Sequence, residues 1–205
     1  MSNYSNSKME QAVDHAKNIL ANKLPQNLKF HNLNHTLEVV AAIKEIGLEC
    51  KINSMEMELV TLSAWYHDTG FCIAYQDHES QSVEIASKLL EKIYYPPKQI
   101  AHILDCIEAT RLPQKPSNLL EAIISDADMY HLATPYYWEK NELLREELTL
   151  VFGQSIRDDQ WCYQNLNFLC QHDYHTPYGK DTLERKKNRH LKSNIEKLEA
   201  LIQKA

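Results

Sequence analysis

Glycine is scarce, with 4 residues in 205, or about 2% against a usual share near 7%. Gly47, Gly70, Gly153 and Gly179 stand far apart, so no G-x-G-x-x-G, Walker loop or G-x-S-x-G elbow can form. Dinucleotide-binding, P-loop and α/β-hydrolase readings are excluded at the motif level. Cysteine is sparse and unpatterned: Cys50, Cys72, Cys106, Cys162 and Cys170 are odd in number and never form C-x-x-C. That excludes a zinc ribbon or a disulfide frame and fits the reduced thiols of a cytoplasmic protein. No run approaches the roughly 18 apolar residues of a membrane span, and Met1 to Lys8 is polar rather than basic and then apolar. Basic residues are outnumbered 22 to 28, a net charge of −6, which argues against long nucleic acid or a membrane surface as partner. Any affinity for phosphate must be local.

Helical periodicity is what remains. Apolar residues recur three and four apart, as in Val13, Ala16, Ile19 and Leu20, and no stretch alternates in the strand period. The spacing predicts an all-α chain. Pro25 ends the first helix; the second runs from about Leu33 to Ile46 and stops at Gly47, a residue suited to the left-handed position after a helix. Asn53 and Ser54 offer caps for a third, which runs into His67, Asp68 and Gly70. Further helices are expected at about Glu79 to Ile93, from Pro97 to Thr110, at Leu119 to Leu132 with an acidic kink at Asp126–Asp128, and from Pro135 to Phe152. Two more follow, one from Asp158 or Asp159 through Leu169 and the last over about Asp181 to Gln203.

Ten histidines are present, and their placement matters more than their number. His67 and Asp68 are adjacent where an apolar helix is about to end, and neighbours about 100° apart on a helix can reach one ion only there. His31 and His35 stand four apart and can share a helix face, while Asp126 and Asp128 edge another apolar run. Neutral imidazoles and carboxylates from separate helices make a ligand set that first-row divalent metals accept.

These residues resemble the HD-domain metal-dependent phosphohydrolases, whose signature is a His, a His-Asp pair and a distant Asp. Here those are His35, His67 with Asp68, and Asp128. Asp128 is preferred because it follows a small residue, Ala127, with Asp126 as the alternative. The resemblance implies a helical bundle of the HD-domain type over 1–205, with a metal-site core at about 27–132 and helices from 135 to 205 packed on it. It implies a divalent ion (Mn, Mg, Fe, Co, Ni or Zn) that activates water for attack at phosphorus. The partner expected is a small phosphorylated substrate, a nucleotide first among them.

Phe30-His31-Asn32-x-x-His35 also resembles a stretch of the cyclic-nucleotide phosphodiesterases in which the first His is a general acid. Proton donors open to choice are therefore His31, His78 and Glu79. Arg111, Lys186 and Lys187 could neutralise phosphate, although the basic run around Lys186 also fits a solvated helix face. His131 and His172 read as ordinary polar residues, and Tyr136, Tyr137, Trp138 and Trp161 as core. The chain departs from better-known branches: it has no Gly-Tyr-Pro signature, no Glu-Asp after the His-Asp pair, and Phe71 where some nucleotidases have a catalytic Glu. Two other readings stay open. One is a non-catalytic HD domain that binds metal or nucleotide as a sensor or scaffold; the other is oxidation at a di-iron site.

Overall fold

The computed structural model describes residues 2–203, and no strand occurs among them. The α-helices are α1 (Ser2–Asn22), α2 (Leu33–Glu49), α3 (Ser54–Tyr66), α4 (His78–Lys92), α5 (Pro97–Glu108), α6 (Leu119–Asp128), α7 (Tyr137–Phe152), α8 (Asp158–Gln171) and α9 (Glu184–Ile202). Short 3-10 turns follow α3 (Thr69–Cys72) and α6 (Met129–Ala133), and a π-turn (Gly179–Leu183) leads into α9.

α3 is the axis. All eight residues from Leu59 to Tyr66 are buried, as expected of a helix that is apolar all round and has neighbours on every side; here these are α1, α2, α5 and α6. Asparagine side chains start three helices by accepting backbone N–H bonds: Asn32 before α2, Asn53 before α3 and Asn118 before α6. Such a cap is worth about 1 kcal/mol. At Asn53 the bond is reciprocated by Glu56. One continuous apolar core reaches from Ala12 in α1 to Leu183 before α9, so α7, α8 and α9 share packing with the earlier helices.

Gly47 does not end α2. The helix continues to Glu49, and the left-handed residue beyond it is Lys51 (φ 57°). A Cβ at Gly47 would stand 2.6 Å from Met57 Cε and 3.1 Å from Ile52 Cδ1, so this glycine serves the close return of the chain into α3. Gly70 likewise serves proximity: a Cβ there would stand 1.9 Å from the His78 carbonyl oxygen. The acidic kink expected within a long helix is a true end, since α6 stops at Asp128 and the chain tightens into a 3-10 turn.

Candidate metal centre

Three helix positions converge under α3. His35 lies in the first turn of α2, His67 caps the end of α3, Asp68 opens the following 3-10 turn, and Asp128 is the last residue of α6. The His67–Asp68 pair can face one point because the α-helix ends at Tyr66, which frees Asp68 to adopt φ −105°, ψ 2°. Ser82 of α4 fixes this turn by donating to the His67 carbonyl (2.6 Å) while accepting from the Gly70 N–H (2.8 Å). No other residue than glycine fits at position 70 with α4 so near.

His35 Nε2 stands 3.2 Å from Asp128 Oδ1, 3.4 Å from His67 Nε2 and 3.5 Å from Asp68 Oδ2. His67 Nε2 is 3.3 Å from Asp68 Oδ2 and 3.5 Å from Asp128 Oδ1. Atoms about 2.1 Å from a shared ion stand roughly 3.0 to 3.4 Å apart in octahedral or tetrahedral coordination. The donor atoms of His35, His67 and Asp128 all lie within 4.8 Å of one another, and Asp68 faces both imidazoles.

The protonation pattern asks for a cation. His67 Nδ1 is 2.7 Å from the Ala64 carbonyl, an acceptor only, so Nδ1 carries the proton and Nε2 turns its lone pair toward the two carboxylates. Asp68 Oδ2 is buried with no hydrogen-bond partner. Lone pairs facing lone pairs in a dry site repel unless a metal ion or a proton stands between them. Burial disfavours the charged forms, but the carboxylates of Asp68 and Asp128 outweigh it at His67 and raise its pKa well above the ordinary value. The imidazoles in turn hold Asp128 and Asp68 far below the carboxylate range against the same burial. The residues fit a divalent ion.

Asp126 is no part of this cluster. Its side chain points the other way and accepts from the His175 N–H (2.7 Å), the Thr176 N–H (2.9 Å) and the Thr176 hydroxyl (2.6 Å). It pins the segment before α9, so of the two aspartates it is Asp128 that faces the imidazoles.

His31 lies beside the centre, its ring 5.8 Å from that of His35 and 6.3 Å from that of His78. It is gripped by Glu147 of α7, a fully buried carboxylate. Glu147 Oε1 is 2.5 Å from His31 Nδ1 and accepts from the Tyr75 hydroxyl at 3.0 Å; Oε2 accepts the N–H groups of Phe30 (2.8 Å) and His31 (3.0 Å). Burial opposes a charge on His31, yet the bonded Glu147 and the more distant Asp68 and Asp128 raise its pKa above the ordinary value. Nothing in the sequence separates Glu147 from Glu146 beside it, which is exposed.

His78 stacks on Phe71 (centroids 3.8 Å apart) and brings Nε2 to 3.6 Å from Asp68 Oδ1, with Glu79 Oε2 at 3.6 Å from its Nδ1. Phe71 therefore packs against the rings of both His31 and His78. His131 also borders the centre: Nδ1 donates to the Asp128 carbonyl (3.2 Å), and burial with nearby His35 pushes its pKa down to about 4. As one of ten histidines with no motif around it, His131 offered no signal in the sequence.

Of the proposed phosphate cations, Arg111 reaches the edge of the site through Glu79, whereas Lys187 is bonded to His172 and Glu184. Arg111 is held by Asp77 (2.7 Å), Glu79 (3.3 Å) and Glu108 and donates to Ser80 (2.8 Å). Lys187 is 1% exposed, bonded to the His172 carbonyl and to Glu184 (2.8 Å), and Lys186 is half-buried on the same helix. Of the aromatics expected in the core, Tyr137 and Trp161 are buried, whereas Tyr136 is 64% exposed.

Asp68, Asp128, His31 and His78 open into a half-enclosed cavity of about 360 Å³ that runs between α6, α7 and α8. No helix among the described residues is long and apolar enough to cross a membrane. Residues 32–133, about half of the chain, match the family model described as HD domain. No curated protein and no solved structure matches the chain.

Proposed function

The chain is an HD-domain protein, and we propose that it is a metal-dependent phosphohydrolase acting on a small phosphate ester. The observation that carries this reading is the four-residue donor set around an unpartnered, buried Asp68 oxygen that opens into a ligand-sized cavity. His35, His67, Asp68 and Asp128 would hold a divalent ion, which supplies Lewis acidity toward water and a phosphoryl oxygen. In the hydrolysis a bond forms from water oxygen to phosphorus and the bond from phosphorus to the ester oxygen breaks. His31 is the proton donor for that leaving oxygen, and Glu147 orients it and keeps it charged. Its raised pKa suits an acid at neutral pH. His78 and Glu79 flank Asp68 on the opposite side from the imidazole pair, as a proton relay or as donors for a second ion.

The test is phosphorus NMR of mixed nucleoside mono-, di-, tri- and cyclic phosphates with simple phosphate esters, incubated with manganese and either the unmutated chain or Asp68→Ala. Consumption of a substrate by the unmutated chain alone is expected, together with loss of metal from the variant. A full metal equivalent and undiminished turnover in Asp68→Ala would sink the assignment. Binding without turnover would move the chain to a sensor or scaffold.

A further inference from the structure

Resting on that hydrolase reading, we infer that the substrate carries a single phosphate on a ring-sized, apolar body, and that α7 and α8 select it. The apolar part of the cavity wall is formed by Met129, Leu132, Leu144, Leu148, Trp161 and Phe168, with Thr110, Asn141, Gln164 and Asn165 as neutral polar neighbours. An apolar body buried there leaves water without losing hydrogen bonds. A strongly polar one loses them against the buried amides of Asn141 and Asn165, which are already bonded to each other and to Trp161; the third lining amide, Gln164, is exposed. Asn141 Oδ1 accepts from Trp161 Nε1 (2.7 Å) and Asn165 Nδ2 (3.2 Å). The second hydrogen of Asn165 Nδ2 goes to the Trp161 carbonyl (2.8 Å), and Asn141 Nδ2 donates to Asn165 Oδ1 (2.5 Å). Both acceptor directions of Asn141 and both donors of Asn165 are used, so these amides offer little to the hydrogen-bonding edge of a base.

Charge limits the phosphate count. Asp68, Glu79 and Asp128 line the cavity, and among the described residues Lys140 is the one Lys or Arg that does so; its Nζ bonds Glu38 at 2.6 Å. Arg111 does not line the cavity; it is engaged by the lining Glu79 (3.3 Å) and by Asp77 and Glu108. A polyphosphate chain would reach past the candidate metal centre into walls whose one cation among the described residues, Lys140, is already bonded to Glu38, whereas one phosphate stays at the centre.

The experiment compares kcat/KM of the manganese-loaded full chain for 1-naphthyl phosphate, methyl phosphate, dAMP and ATP, with titration calorimetry of 1-naphthylphosphonate, which has no ester bond to cleave. The naphthyl ester should exceed each of the others at least tenfold. Leu144→Trp, which fills the cavity, should lower the naphthyl-to-methyl ratio at least tenfold and weaken the phosphonate to match. Leu150→Trp, exposed on the same helix, should leave both as they were. If Leu144→Trp does not fold, Leu148→Phe replaces it with the same expectation. A ratio near one, a preference for dAMP or ATP, or equal phosphonate binding to the filled variant overturns the inference. Phosphonate binding that depends on Leu144, with no ester cleaved, upholds it and refutes hydrolysis instead.

Discussion

The candidate metal centre and the cavity beside it are built by opposite means. At the centre, chemistry restricts residue types to the few side chains that ligate a divalent ion, and the adjacent His67–Asp68 pair must sit at a helix end where the backbone can turn two neighbours toward one point. In the cavity, α7 and α8 contribute shape, and many apolar side chains would make a similar wall. The first region is therefore conspicuous in a sequence and intolerant of change, while the second is silent in a sequence and tunable.

The sharpest way to break this contrast is to exchange the fates of the two aspartates at the end of α6. Asp128→Asn should weaken manganese binding by more than about 100-fold, beyond the effect of losing an outer hydrogen-bond partner, with little loss of stability, as read by calorimetry and thermal melting. Asp126→Ala should do the reverse. It leaves two backbone N–H groups and a buried hydroxyl without their acceptor, costing about 2 to 4 kcal/mol while metal affinity stays. Loss of metal in Asp126→Ala at a temperature where it is folded would contradict the assignment.

Glu147 joins the two regions, since it belongs to α7 yet holds His31. Glu147→Gln should lower turnover about 10- to 100-fold with metal content intact. The carboxylate raises the pKa of His31, so its removal should move the basic limb of the pH–rate profile toward lower pH. An unmoved limb would show that His31 is not the proton donor.

The smallest effect concerns the support behind α8. Burial and then the neighbouring Lys187 push the pKa of His172 down to about 3, and its Nε2 is buried without a partner. The unfolded chain takes up a proton near pH 6.5 that the folded chain refuses until about pH 3, so acidification below 6.5 favours unfolding. The contribution is at most about 1.4 kcal/mol per pH unit. Denaturant unfolding at pH 7 and pH 5 should show a smaller drop in His172→Gln than in the unmutated chain; equal drops would mean that His172 is protonated when folded.

The helices and most of their ends were legible because they are local: Asn53 and Asn118 cap, Pro97 begins α5, and apolar spacing marks the buried faces. Gly47 misled because a glycine serving a close approach looks the same in a sequence as one serving a left-handed turn. His35, His67, Asp68 and Asp128 stood out because few residue types bind a divalent ion and their order along the chain is constrained. The counterions of Arg111 and Lys187 were not legible, because a charge in a sequence carries no record of its partner. In the fold, Asp77, Glu79 and Glu108 claim the first, and Glu184 and a carbonyl the second.

By itself, then, the sequence determined the helical class and the candidate metal-ligating residue types, both of which follow from side-chain chemistry at short range or in fixed order. Only the tertiary structure decided that Asp128 rather than Asp126 faces the imidazoles, that Glu147 grips His31 from 116 residues away, and that the centre opens onto apolar walls. Those three depend on which faces of distant helices meet, a matter of packing that no local pattern of residues encodes.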